Sequence, residues 1–285
     1  MILVLSLLAH AEEPTFAGTK DPTEVPKSET HLTANLGGNL AVGNSESFSL
    51  GAGLAFTHKW KANQIGLIGA AGLGYGAVDA NADGFLSGAE RCLGVKGNPC
   101  QPTTEMFSLE GRYDRFFSER SSLYLLVGGL HDKFAGFQLR SHVQAGYAFH
   151  ILDTERDKLK TEIGVDFANE AYVEGVVPSS TKLLAAQVAA VYSHSFNENV
   201  GFSDSLTIYE PMLTQPDGSP FAPHFTDLRI TNVATINAKI SNKFSITLAD
   251  TLAWRMEPVA APEGVNEKRS PVDNSLTVAL VASIL

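Results

Sequence analysis

A cluster of oxygen-bearing side chains between residues 79 and 90 is the part of the sequence whose residue types and spacing point most directly to chemistry. The segment satisfies the calcium-loop pattern D-x-[DN]-x-[DN]-G-x₅-E at every specified position, with Gly84 at the sharp turn. Its ligand positions are occupied by Asp79, Asn81, Asp83, Phe85, Ser87 and Glu90. Phe85 would act through its carbonyl, Ser87 through a water, and Glu90 through both carboxylate oxygens. We therefore predict a Ca²⁺ site resembling an EF-hand loop.

The sequence around this segment indicates how tightly it would bind calcium. Neither a second loop of the same kind nor clear flanking helices can be recognised in the sequence. The expected affinity is therefore in the weak extracellular range, roughly 10⁻⁴–10⁻³ M, which suits a structural clip better than a sensor. The alternative is an acidic, glycine-bearing surface loop that binds no ion.

The only two cysteines, Cys92 and Cys100, follow directly after this segment and bracket a Gly-Asn-Pro turn. In an exported protein such a pair predicts a disulfide. Zinc would need further ligands, which the neighbouring sequence lacks.

The elements that position this loop are twelve segments of alternating character between about Thr30 and Leu285. Their connections form a short set, residues 61–63, 118–121, 153–157, 197–199 and 241–242, and a long set, residues 79–103, 169–181, 211–224 and 257–271. Tight turns at one end and long loops at the other predict a closed antiparallel transmembrane β-barrel of twelve strands, with periplasmic turns and extracellular loops. A soluble sandwich or lipocalin-like barrel also alternates, but soluble folds rarely separate loop lengths by end.

Side-chain parity divides the predicted strands into two faces. In residues 137–151 the odd positions are mostly apolar and the even ones mostly polar, as expected for lipid on one side and a polar lumen on the other. The residues predicted to line the lumen are Glu110, Arg112, Asp114, Arg140, His142, Lys160, Glu162, Asp166 and Arg229. They form either a network of paired charges that fills the interior or a hydrated pathway.

Two acidic residues break the pattern. Asp204 and Asp250 share the apolar parity of Leu206 and Leu252. Because an acidic group facing lipid is unfavourable, we expect each to lie at a β-bulge or near a membrane interface.

Aromatic residues collect near the ends of the segments, which predicts two membrane-interface girdles. Those next to the short turns are Phe56, Trp60, Phe116, Phe117, Tyr124, Phe149, Phe196, Phe202 and Phe244. Those toward the long loops are Phe48, Tyr75, Phe107, Phe134, Phe137, Phe167, Tyr209, Phe225 and Trp254.

Composition and the N-terminal segment fit export. Residues 1–11 resemble a secretory signal that lacks the usual basic start, and residues 12–29 form a polar periplasmic leader, either a disordered tail or a lumen plug. No segment reaches the ~18 continuous apolar residues of a transmembrane helix. The net charge of −10 argues against nucleic acid as a partner.

Several short motifs in the sequence resemble those of a known protein family. It is carried by Tyr113-Asp114-Arg115-Phe116, Asp132-Lys133-Phe134-Ala135-Gly136, the turn residues 118–120 and 152–156, and Gly43-Asn44-Ser45 in the first hairpin. The chain resembles the YdiY-like family of salt-induced outer-membrane proteins (domain of unknown function 481) over most of residues 30–285, most densely over 107–167. The resemblance implies a small barrel in the bacterial outer membrane and no catalytic residues. Residues 79–103 look like an insertion.

Two classes of function follow. The first is a passive channel for small polar solutes. The second is a closed structural or surface-interaction barrel whose stiffened loop contacts lipopolysaccharide or a partner. No Ser/His/Asp or paired-carboxylate arrangement stands out, so we expect no enzymatic activity.

Overall fold

The computed structural model describes residues 28–41, 47–77, 100–257 and 271–284. Within these ranges the chain forms strands and turns, and no helix. The strands are β1 (Glu29–Ala41), β2 (Ser47–Trp60), β3 (Asn63–Gly76), β4 (Gln101–Ser118), β5 (Ser121–Asp132), β6 (Phe137–Asp153), β7 (Asp157–Tyr172), β8 (Ser180–Ser195), β9 (Val200–Pro216), β10 (Ala222–Pro223), β11 (Arg229–Lys239), β12 (Phe244–Arg255) and β13 (Val272–Ser283).

The sheet closes on itself. Each long strand pairs antiparallel with its neighbours in the chain, β9 pairs with β11, and β1 pairs with β13, where Thr33 lies opposite Ser283. The two-residue strand β10 only folds back onto β9. The twelve long strands therefore form a closed antiparallel barrel, which confirms the predicted fold. Closure gives each of the twelve long strands a hydrogen-bonded neighbour on both sides.

The two ends of the barrel differ in their connections. One end has only tight turns, at residues 61–62, 119–120, 154–156, 196–199 and 240–243. The opposite end has the long connections 77–100, 173–179 and 256–271 and the segment that contains β10. It also has two short connections, residues 42–46 and 133–136. The difference between the ends is therefore less strict than the sequence predicted.

The period-two exposure of the strands separates an outer and an inner face. In β7, Ile163, Val165 and Phe167 are exposed while Glu162, Asp166 and Ala168 between them are buried. The exposed leucines, valines and isoleucines of the other strands repeat this pattern and form an apolar outer band. No helix among the described residues is long and apolar enough to cross a membrane.

Several strand ends differ from the sequence prediction. β7 continues to Tyr172 and β9 to Pro216, both inside segments predicted as connections. Conversely, β11 begins only at Arg229, so residues 225–228 lie before the strand. Loop-like composition did not end these strands because backbone pairing with a neighbour continues past it.

Part of the predicted aromatic girdle is wrong. Phe116, Tyr124, Phe137 and Tyr209 are buried in the structure. Even-numbered residues of β5 point inward, and so do odd-numbered residues of β9 near residue 209. Tyr124 and Tyr209 therefore belong to the lumen and not to the lipid surface. The expected bulges are also absent, because Asp204 and Asp250 both lie opposite Ala234 in uninterrupted pairing.

Candidate functional site

The interior near the short-turn end contains a cluster centred on Arg112. Its guanidinium donates from Nη2 to Glu162 Oε1 at 2.7 Å and from Nε to Asp114 Oδ2 at 2.9 Å. Lys160 Nζ lies 3.0 Å from the same Glu162 oxygen. Arg112 is on β4 and Glu162 on β7, with β5 and β6 between them, so this contact runs across the inner surface of the wall.

A tyrosine supports this arginine. The guanidinium of Arg112 lies over the ring of Tyr124, 4.2 Å from its centroid, which is a favourable cation–π position. Gln144 Nε2 donates to the Tyr124 hydroxyl at 2.6 Å. The ring fits because Gly146 and Gly164 leave room, since a Cβ on either would lie 2.5 Å from Tyr124 atoms.

The middle of the lumen is organised around Asp166. His142 Nδ1 lies 3.1 Å from Asp166 Oδ1, and the hydroxyl of Tyr209 donates to Asp166 Oδ2 at 2.9 Å. The second ring nitrogen of His142, Nε2, points toward β4 and lies 3.8 Å from Glu110 Oε2. A Cβ on Gly128 would overlap the His142 ring, so glycine on β5 is what lets the histidine span from β6 to β4.

Three arginines gather at the long-loop end. Arg229 Nη1 donates to Glu170 Oε1 at 2.6 Å, and Arg140 Nε lies 3.5 Å from the same oxygen. Arg255 donates from Nε to Asp227 Oδ1 at 2.8 Å, and Asp227 also pairs with Arg229. This arginine cluster therefore joins β6, β7, β11 and β12.

Exposure shows which charged groups face water. Glu170 and Asp166 have side chains 0% and 1% exposed, so they lie behind their cations. Arg140 and Arg255 are 23% and 21% exposed at the long-loop end. Glu110, the tenth of eighteen residues in β4, is 37% exposed even though it points into the barrel. The interior thus has space beside a carboxylate at mid-height.

Many inward side chains on the rest of the wall are small, although Asn35, Gln64 and Ile68 also point inward there. On β13, β1, β2 and β3 the inward positions include Ser275, Thr277, Ala279, Gly37, Gly51, Gly53, Ala55, Gly66, Ala70 and Gly72. Long ionised side chains on one wall therefore face a wall on which glycine, alanine, serine and threonine are frequent. This arrangement can hydrate and align polar molecules through charge and hydrogen bonding.

The structure places the sequence-predicted lumen residues in these contacts. Arg112, Asp114, Lys160 and Glu162 meet near the short turns, Glu110, His142 and Asp166 in the middle, and Arg140 and Arg229 near the long loops. Sequence reasoning missed Glu170, Arg255, Tyr124 and Tyr209. Glu170 shares the parity of Glu162 and Asp166, a usable signal that was lost because residue 170 was assigned to a connection.

The calcium segment lies outside the described residues, as do Asp79, Asn81, Asp83, Phe85, Ser87 and Glu90. Cys100 lies one residue before β4 and is not a free thiol, whereas Cys92 is outside the described residues. The calcium site and the Cys92–Cys100 pairing stay predictions. Among the described residues, no group of three His, Cys, Asp or Glu could hold a metal ion.

A closed β-barrel with an apolar outer band and a charged interior defines a protein of the bacterial outer membrane, similar in fold to an outer membrane channel. The chain belongs to the family described as "Protein of unknown function, DUF481", whose model matches residues 34–284. The sequence matches no curated protein.

The chain is similar to several solved structures, and a match with a TM-score above 0.5 supports the fold. An outer membrane channel from Pseudomonas putida F1 is 12% identical with a TM-score of 0.53, over 93% of this chain and 99% of that chain. The NanC porin is 8% identical with a TM-score of 0.48, over 89% of this chain and 99% of that chain. The KdgM porin in complex with disordered oligogalacturonate is 6% identical with a TM-score of 0.42, over 90% of this chain and 100% of that chain.

Proposed function

We propose that the barrel is a passive channel for small polar solutes. The observation that carries this proposal is the 37% exposure of Glu110, an inward carboxylate at mid-height of β4. A side chain inside a filled barrel would be shielded from water, and burial of an unhydrated charge is costly. Exposure of Glu110 supports water in the interior at this depth, as a channel requires.

The arginine cluster gives this path a cationic entrance. Glu170 and Asp227 lie behind Arg140, Arg229 and Arg255, so the groups that face the lumen at the long-loop end are guanidinium ions. Guanidinium groups donate several hydrogen bonds in a fixed plane and suit carboxylate, phosphate and hydroxyl oxygens. Glu110 deeper inside then interacts with cations and hydroxyl donors. Because positive groups lie at the entrance and a negative group lies deeper inside, the barrel suits small polar solutes that carry both hydrogen-bond donors and acceptors.

Ion selectivity of the purified barrel in planar bilayers tests this function. The wild-type protein should give discrete conductance steps, and Glu110→Gln should shift the reversal potential in a salt gradient toward anion preference. Glu155→Gln removes the same charge at an exposed short turn and should leave the reversal potential unchanged. Absence of conductance from folded wild-type protein would favour the closed, surface-interacting barrel instead.

The extracellular segment 79–90 is proposed as a calcium clip. The support is the complete ligand pattern in the sequence and the position of the segment between β3 and β4, at the long-loop end. A Cys92–Cys100 disulfide beside it would add a second restraint on the same loop. Such a loop is suited to contact lipopolysaccharide, whose bridging divalent cations and phosphates lie at the same surface. Binding of the purified barrel to lipopolysaccharide vesicles with calcium, and its loss in Glu90→Ala, tests this role.

A further inference from the structure

Four polar side chains lie on the outer face of the barrel, where the neighbouring side chains are apolar. They are Asp204 on β9, Asn232 on β11, Asp250 on β12 and Asn274 on β13, and we refer to them as the Asp–Asn stripe. Their parity is that of the exposed Leu206, Leu252 and Leu276, and pairing through these strands is uninterrupted. The stripe therefore faces lipid by regular strand geometry and not through a local distortion.

The two carboxylates of the stripe lie at mid-depth of the apolar band, and the two asparagines lie two residues closer to the long-loop end. Asp204 and Asp250 both lie opposite Ala234, the sixth of the eleven residues of β11. Eleven residues at ~3.4 Å each, tilted by about 40°, span about 28 Å, close to the ~25 Å height of the band. Exposed Ile236 and Leu248 lie on the short-turn side and Leu252 on the long-loop side. Neither headgroups nor bulk water reach this depth.

The polar atoms of the stripe are only partly satisfied. Asn232 Nδ2 donates to Asp204 Oδ1 at 2.9 Å, and Asn274 Nδ2 donates to Asp250 Oδ1 at 3.1 Å. Among the described residues each carboxylate receives that one side-chain hydrogen bond, at Oδ1, and neither forms an ion pair. A carboxylate can accept about four hydrogen bonds, so most of this capacity is unused among the described side chains.

We propose that the Asp–Asn stripe is the interface between two copies of this chain in the membrane. Carboxylates that accept and amides that donate alternate along four neighbouring strands, so the surface is complementary to itself. A two-fold axis along the membrane normal can bring the amides of one copy to the carboxylates of the other. Ala234 at the centre has a small side chain, which permits close approach, and the surrounding leucines exclude lipid. Hydrogen bonds of this kind hold transmembrane surfaces together because no water competes for them.

Cross-linking in native outer membranes tests the interface directly. Ala234→Cys should give a covalent product of twice the chain mass with a short bis-maleimide, while Val143→Cys, an outward position on β6, should give none. Wild-type protein controls for reaction at the native cysteines. A product whose mass is one chain plus another protein, or no product with Ala234→Cys, would overturn the proposal.

The size of the purified barrel is the second readout. Wild-type protein in mild detergent should have twice the mass of one chain, and Asp204→Leu/Asp250→Leu should have the mass of one. Leucine suits the lipid face, so this variant should still fold, which the shift in its gel mobility on heating reports. Val143→Leu/Ile163→Leu on β6 and β7 is the matched control and should keep the wild-type mass. A wild-type protein that is a single chain, carrying its carboxylates protonated in lipid, would refute the inference.

Discussion

Arg112 on β4 and Glu162 on β7 are fifty residues apart in sequence, yet their Nη2 and Oε1 atoms lie 2.7 Å apart inside the barrel. Backbone pairing joins β4 only to β3 and β5, so this contact is a side-chain link between strands that share no hydrogen bonds. The pairs Glu170–Arg229 and His142–Glu110 also link strands that are not hydrogen-bonded neighbours, at other depths of the barrel. Side-chain contacts on the inner face therefore link β4, β6, β7 and β11 to one another. Small side chains are frequent on the opposite part of the wall.

Replacing Arg112 by Met should destabilise the barrel. Glu162 and Asp114 are 6% and 1% exposed and would lose their shared cation. Removal of one partner from a buried ion pair costs roughly 3 kcal/mol or more. The measurement is the urea midpoint of unfolding in detergent or vesicles. Arg120→Met at an exposed turn is the control and should change stability by less than about 0.5 kcal/mol. Equal midpoints for the two variants would mean that the Arg112 network does not stabilise the fold.

Gly146→Ala should also destabilise the protein. The new Cβ would lie 2.5 Å from the Ile163 carbonyl oxygen and 2.5 Å from Tyr124 Cζ, and neither neighbour can move freely. Overpacking of this kind typically costs about 1–3 kcal/mol. Gly66→Ala is a matched inward substitution whose Cβ would have its nearest contacts at 3.9 Å, and it should be tolerated. If both variants unfold at the wild-type urea concentration, close packing of Tyr124 against Gly146 does not limit the stability of the barrel.

Calcium should bind residues 79–90 through Glu90 and Asp79. Glu90→Ala removes a bidentate ligand that the remaining oxygens cannot replace, and Asp79→Ala removes the first ligand of the loop. Isothermal titration of the purified barrel should give a dissociation constant of roughly 10⁻⁴–10⁻³ M, with the binding heat lost in Glu90→Ala and reduced in Asp79→Ala. Identical heats from the wild type and both variants would leave only an acidic surface loop.

Cys92 and Cys100 should react with maleimide only after reduction. The pair is expected to be oxidised on export, because the periplasm favours disulfides and the eight-residue spacing closes a small loop. Mass spectrometry of denatured protein, labelled with and without a reductant, counts the free thiols. Two labels on unreduced protein isolated from the outer membrane would contradict the disulfide.

The barrel could be predicted from the sequence because its determinants are local. A period of two along each strand specifies two faces, and the segregation of short and long connections specifies two ends, so closure follows from the need to pair every edge in lipid. The nine lumen residues were found by parity alone. Asp114 and Glu162 needed no knowledge of their partners to be placed on the inner face.

Contacts across the lumen could not be predicted. The pairing of Arg112 with Glu162 depends on barrel curvature and strand stagger, which no sequence window contains. Tyr124 and Tyr209 were assigned to the girdles because aromatics near strand ends usually face the interface, yet both stack with arginines inside. The outward position of Asp204 and Asp250 was visible in the parity, but the preference for apolar groups in lipid made a bulge or a position near a membrane interface the expected explanation.

Chemical modification of Glu110→Cys during single-channel recording tests the proposed pathway most directly. If solutes pass beside residue 110, a charged methanethiosulfonate reagent should change the conductance of open Glu110→Cys channels in discrete steps. Leu109→Cys, the adjacent outward position, and the wild-type protein should keep their conductance under the same treatment. Folded Glu110→Cys protein that gives no channels, or channels that the reagent leaves unchanged, would contradict an aqueous path through the barrel.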